Sequence, residues 1–196
     1  MKTIKISKPA PTHAPRVLAS TCLAAALLFA VASNAWSAGL SAPSGIALSR
    51  GYGNAVDATG VEVQWDDFYP SAWLKQRGFD TRLSAGLYYW QARRDNVANA
   101  SLADLSLTPM LRWWAGGAAP FYLEAGIGLR LLTRTQIDDR RLATAAQFGE
   151  RIGAGFAFGP RSRYEAGIYL QHVSNGSYKA PNNGLSYYGA IFRMPL

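Results

Sequence analysis

Hydrophobic and polar residues alternate one for one along most of this chain, the period at which a strand turns successive side chains to opposite faces. Residues 121–131 are the clearest case: Phe121, Leu123, Ala125, Ile127, Leu129 and Leu131 interleave with Tyr122, Glu124, Gly126, Gly128 and Arg130. Val61, Val63 and Trp65 alternate with Glu62, Gln64 and Asp66, and Leu83, Ala85, Leu87 and Tyr89 with Arg82, Ser84, Gly86 and Tyr88. A fourth segment sets Leu105, Leu107 and Leu111 against Asp104, Ser106, Thr108, Met110 and Arg112, with Pro109 its one misfit. Ile152, Ala154, Phe156 and Phe158 alternate with Arg151 and small residues, and the last segment puts Tyr188, Ala190, Phe192, Met194 and Leu196 on one face. Further strands around 46–52 and 164–175 bring the count to eight.

Eight alternating strands fit either a soluble ligand-binding barrel or a barrel that spans an outer membrane. The two faces separate these. One set is uniformly apolar; the other holds Glu62, Arg112, Glu124, Arg130, Arg151, Arg163 and Glu165 beside glycines. A soluble barrel turns its apolar set inward. Charges of both signs instead pair inside a narrow lumen while the apolar set meets lipid. Aromatic residues gather at segment ends (Trp65, Phe68, Tyr69 and Trp73; Tyr89 and Trp90; Trp113 and Trp114; Tyr187 and Tyr188), where interfacial girdles belong. The expected fold is therefore all-β, an eight-stranded antiparallel transmembrane β-barrel with both termini in the periplasm.

The alternation is absent from the first 37 residues. A basic stretch with Lys2, Lys5, Lys8 and Arg16 precedes an uncharged apolar run over 17–32, and small residues follow. This is the order of a secretory signal peptide, cleaved after Ala35 or Ser37, which leaves a barrel domain over 38–196. The apolar run is short for a membrane-spanning helix. Cleavage changes the charge. The whole chain has 20 basic and 12 acidic residues, a net of +8, which invites a nucleic-acid reading. Four basic residues lie in the leader, so the mature chain keeps 16 against 12, a net of +4, and no nucleic-acid partner is expected. Cys22, the chain's one cysteine, leaves as well, and so does His13. Thiol chemistry and a histidine-cluster metal site are excluded, and neither metal nor cofactor is called for.

With periplasmic termini, Gly116-Gly117 and Gly159-Pro160 become short periplasmic turns. The outer loops then carry Arg93, Arg94, Arg134, Arg140, Arg141 and Lys179. These cations either bind phosphate on an outer-leaflet glycolipid or are solvated loop charges, and both readings stay open. The stretch 68–79 is too long for a tight turn.

The seventh segment breaks the apolar stripe. Tyr164, Ala166, Ile168 and Leu170 lead on to His172 and Ser174. By parity the mature chain's only histidine, and a serine two residues on, point outward at the end of an outward-running strand, where an imidazole can act as general base for a hydroxyl. On spacing alone an interfacial polar pair is the commoner reading. No G-x-S-x-G elbow supports a soluble hydrolase.

His172-Val173-Ser174-Asn175-Gly176-Ser177, followed by Pro181-Asn182-Asn183-Gly184, resembles the C-terminal signature of the outer-membrane lipid A 3-O-deacylases, the PagL family, in which H-x-S-N, a short loop and P-N-x-G precede a final strand. Phe121-Tyr122-Leu123-Glu124-Ala125-Gly126-Ile127-Gly128, the stretch from Glu150 to Gly155 and the ending Phe192-Arg193-Met194-Pro195-Leu196 add to the likeness. The resemblance implies a serine esterase of the Gram-negative outer membrane, acting on lipid A of lipopolysaccharide. Ser174 would be the nucleophile, His172 the base, and Asn175 an oxyanion stabiliser, with Asn182 and Gly184 in a supporting loop. The family's third member, an acid, falls on Ser186 here; a serine can accept from imidazole but cannot balance imidazolium. Asn182 or Asn183 orienting the ring is the alternative, and Gly176-Ser177 stands where the family commonly has Ala-Gly. Rival readings are a non-catalytic outer-membrane barrel (adhesion or membrane integrity) and a soluble lipid-binding barrel; a homodimer stays open.

Overall fold

The computed structural model describes residues 42–53, 55–115, 120–160 and 163–196. The leader over 1–37 and the Gly116-Gly117 turn lie outside these residues. Eight long strands close into an antiparallel barrel: β1 (Gly45–Gly53), β2 (Val56–Asp66), β3 (Phe79–Ala92), β4 (Ser101–Trp114), β5 (Phe121–Leu132), β8 (Ala146–Phe158), β9 (Tyr164–Ser174) and β10 (Leu185–Pro195). Each strand pairs with its chain neighbours, and β1 seals the wall against β10, with Gly45 opposite Pro195. No barrel edge is left open. Pro109 sits within β4, where its missing N–H interrupts the ladder to β5: pairing stops at Leu107–Leu129 and resumes in the same register at Met110–Gly126.

Parity assigns the faces as the alternation requires. Leu48, Val61, Leu87, Leu105, Leu123, Leu131, Ile152, Ile168 and Leu170 are exposed on the outer wall. That continuous apolar belt is what a bilayer covers and water would not. The charged set lines the interior as paired ions. Glu165 takes two bonds from Arg82 at 2.8 and 2.9 Å and one from Arg112 at 2.9 Å, while Arg112 also holds Glu124 at 2.6 Å. Arg151 meets Glu62 at 2.8 Å, and Arg130 meets Asp104 at 3.1 Å. The fork of the guanidinium suits this bridging, since one arginine can bind two carboxylates at once.

Arg163 is the exception to the expected inner set: it is exposed in the connection before β9. The aromatic pairs also divide. Trp90 and Tyr187 are buried in the interior and Trp114 donates to Asp80, whereas Tyr89, Tyr188, Trp113 and Trp73 face out. Sequence neighbours on a strand occupy opposite faces, so an aromatic pair contributes one ring to the girdle and one to the core.

Both chain ends of the barrel lie at one mouth. That mouth also carries the 67–78 connection, which contains a four-residue helix, α1 (Ala72–Lys75), capped by Ser71 Oγ accepting from the Leu74 N–H. α1 presents exposed Trp73, with the Arg77 guanidinium 4.1 Å from its ring centroid. The opposite mouth carries the long loops and one element without a sequence signal, a hairpin of β6 (Gln136–Ile137) and β7 (Arg140–Arg141) between β5 and β8. Its Ile137 and the following Leu142 are wholly buried against Val56, Trp90, Leu102, Val173 and Leu185, so the hairpin stops that mouth with an apolar plug.

Candidate active site

β9 runs from the mouth that holds the chain ends toward the plugged mouth, so His172 and Ser174 lie at its far end. Both are half-buried on the outer wall, two residues apart on one face. β10 sets Ser186 directly opposite His172, and its Oγ lies 2.7 Å from the imidazole Nδ1. Nδ1–H donating to Ser186 leaves Nε2 with a free lone pair, the state a general base requires.

Gly184 fixes where that lone pair sits. It immediately precedes Leu185, the partner of Val173, and is therefore level with Ser174. A Cβ built on Gly184 would stand 2.9 Å from the ring Cε1 and 3.3 Å from Nε2, so the Nε2 edge is turned toward the serine's level. Gly184 also has φ +58°, which glycine adopts without strain. Ser174 Oγ accepts from the Gly176 N–H at 3.4 Å; among the described residues it is not hydrogen-bonded to the imidazole. Catalytic hydrogen bonds of this kind commonly tighten only with substrate present.

Asn175 departs from its expected role. Parity turns its side chain into the barrel, where it is 3% exposed and its Nδ2 donates to the Leu142 carbonyl at 3.1 Å and the Lys179 carbonyl at 2.7 Å. The carboxamide therefore holds the loop and does not face Ser174, which leaves the Gly176 backbone N–H as the donor beside that serine. Asn182 Oδ1 accepts the Asn175 N–H at 3.3 Å, and Asn183 exchanges two bonds with the Arg141 backbone, at 2.9 and 3.0 Å. Among the described residues neither asparagine bonds to His172; Asn182 closes the loop over 175–184 on itself, and Asn183 ties that loop to the hairpin. The hairpin is thus the residue set that sequence reasoning missed, because it has two-residue strands and no apolar period.

The loop cations are unevenly engaged. Arg94 grips Asp138 through Nε at 2.8 and 3.0 Å and lies 3.2 Å from Asp139, and this pairing holds the Asp138 carboxyl below its ordinary value. Arg93 lies 3.6 Å from Asp57. Arg134, Arg141 and Lys179 have no ion-pair partner among the described residues.

A closed eight-stranded barrel with an apolar outer belt, carrying a histidine–serine pair on that outer wall, defines a membrane-embedded protein with this polar pair on its lipid side. The comparisons with known proteins agree. The family described as lipid A 3-O-deacylase (PagL) matches residues 59–195, and the chain belongs to that family. It is 37% identical over 121 residues to the lipid A deacylase PagL of Bordetella bronchiseptica, a match covering 59% of this chain and 65% of that protein, slightly under two thirds. It is 30% identical over 139 residues to the lipid A deacylase PagL of Pseudomonas aeruginosa, covering 70% and 76% respectively. The crystal structure of the outer membrane enzyme PagL superposes with a TM-score of 0.66 at 26% identity, over 78% of this chain and 99% of that one.

Proposed function

We propose that this protein hydrolyses the acyl ester at position 3 of lipid A in the outer leaflet of the outer membrane, with Ser174 as nucleophile and His172 as general base. The observation that carries the assignment is the outward imidazole whose Nδ1 is held by Ser186 at 2.7 Å while its Nε2 edge faces the serine's level. Family membership supports the substrate.

The chemistry follows from those positions. Ser174 Oγ attacks the acyl carbonyl as Nε2 takes its proton, and the N–H of Gly176 stabilises the developing oxyanion. The protonated ring returns the proton to the departing sugar oxygen, leaving an acyl-serine. Water, deprotonated by the same ring, then releases a 3-hydroxy fatty acid. In this reading the leader over 1–37 directs export, the domain over 38–196 inserts with both termini in the periplasm, and the loop over 175–184 opens to the cell exterior.

Mass spectrometry of lipid A from cells expressing the protein tests the activity. The wild type removes one 3-hydroxyacyl group and Ser174→Ala removes none. Unchanged lipid A beside a folded wild-type barrel overturns the assignment. Orientation is read separately: an impermeant amine reagent labels Lys179 on intact cells if that loop is external.

A further inference from the structure

The ring of His172 has a second cross-strand neighbour. β8 places Glu150 directly opposite His172, on the side away from Ser186. Glu150 is exposed on the same outer wall. Cβ atoms of directly opposed residues lie about 4.5–5.5 Å apart, within reach for a glutamate and an imidazole.

Its lack of a partner sets this carboxylate apart. Among the described residues, every other acid on a barrel strand is engaged: Asp57 by Arg50, Glu62 by Arg151, Asp66 by Arg193, Asp80 by Trp114, Asp104 by Arg130, and Glu124 and Glu165 by Arg112. The Glu150 side chain bonds to none of the described residues; its backbone carbonyl accepts from Gln171 Nε2 at 2.9 Å. An unpaired charge on the outer wall of a membrane barrel is unfavourable, and it is retained where a counter-charge arises in function. One arises here only during turnover, when His172 holds the proton of Ser174.

We infer that Glu150 is the carboxylate that balances His172 as imidazolium from the β8 side of the ring, supplying the negative charge that Ser186, which holds Nδ1 from β10, cannot. The inference rests on Ser174 and His172 being the reacting pair. No proton is transferred to Glu150: the proton moves from Ser174 Oγ to Nε2 and on to the sugar oxygen, and the carboxylate stays ionised throughout. Glu150 is thus a positioning residue, acting through the ring.

The test is steady-state deacylation of purified lipid A by detergent-folded protein, with folding of each variant read from heat-modifiable gel migration. Glu150→Gln lowers kcat by about a hundredfold or more, toward the roughly 10⁴-fold seen when a triad carboxylate is removed, and leaves KM within about threefold. Glu150→Asp, which keeps the charge on a shorter arm, retains more turnover than Glu150→Gln. Adding Ser186→Glu to Glu150→Gln restores kcat to within about tenfold of the wild type, because the charge returns on the other side of the ring. An unchanged kcat in Glu150→Gln overturns the inference. So does a rise in KM alone, which makes Glu150 a substrate contact, or a folded double variant with no recovery. Activity surviving in Ser174→Ala overturns the parent reading instead, and is distinguished because it appears with Glu150 intact.

Discussion

At the scale of single residues, the site is a matter of which atoms are kept away from the imidazole as much as of which touch it. Gly184 is the tightest of these. Alanine there brings a Cβ within 2.9 Å of the ring and imposes φ +58° on a residue with a side chain, a strain of about 1–3 kcal/mol. Gly184→Ala is expected to cut kcat at least about tenfold while the barrel still forms, since each 1.36 kcal/mol of barrier is a factor of ten; turnover and gel mobility measured on one preparation check this. The outward address of His172 and Ser174 was legible from parity alone, and so was Ser186, which stands in phase with Tyr188 and Ala190. The same parity rule, applied one residue further, turns Asn175 inward; its place after the nucleophile in the family signature had suggested the opposite. Glu150 could not be paired with His172 from the sequence, because register between strands depends on loop lengths and closure, and no local pattern records it.

At the scale of elements, β6, β7 and the loop over 175–184 behave as one unit. Asn175 joins Leu142 to Lys179, and Asn183 clasps Arg141. Asn175→Ala takes this donor from the Lys179 carbonyl, at a cost of about 1–3 kcal/mol if that group stays buried, while the Leu142 carbonyl still accepts from Thr144 N–H and Gln147 Nε2. Trypsin should then cut faster after Lys179 and after Arg140 or Arg141, with the strands still protected; equal rates in variant and wild type would contradict a shared unit. Acid acts on the same assembly. Asp138 has its pKa lowered chiefly by the bond from Arg94, so the ionised form is stabilising. That contribution is complete above the unfolded carboxylate value of about 3.9 and is lost as pH falls through the lower folded value. Hydrogen exchange in 136–142 should accelerate on that descent in the wild type, and Asp138→Asn should show faster exchange already at neutral pH. None of this was written in the periodicity. The strands were legible because each repeats one rule over nine or more residues, whereas a two-residue strand repeats nothing. The α1 connection was recognised only as a stretch too long for a turn.

At the scale of the whole molecule, the interior is an ion lattice in which Glu165, toward the mouth with the chain ends, is bonded to Arg82 and Arg112 and lies 3.5 Å from Arg193. Removing a buried partner strands the charges that faced it, at about 3–5 kcal/mol. Glu165→Ala should accordingly lower the urea midpoint for unfolding in micelles well below that of an outer-wall change such as Leu170→Ala. A midpoint equal to that of Leu170→Ala would mean the arginines find other partners. The existence of this lattice was visible beforehand in the mixed signs on the polar face; its partners were not, since residues as far apart as Arg151 and Glu62 meet only after the wall closes.

Among the described residues the middle of the barrel is filled. Packed guanidinium groups occupy the bore, and Ile137 and Leu142 cork one mouth. Whatever the outer wall processes must therefore arrive and depart sideways, by diffusion within a single leaflet. On the proposed reading, substrate supply is tied to how freely neighbouring lipids drift past, so stiffening the leaflet slows that supply without altering one atom of the protein.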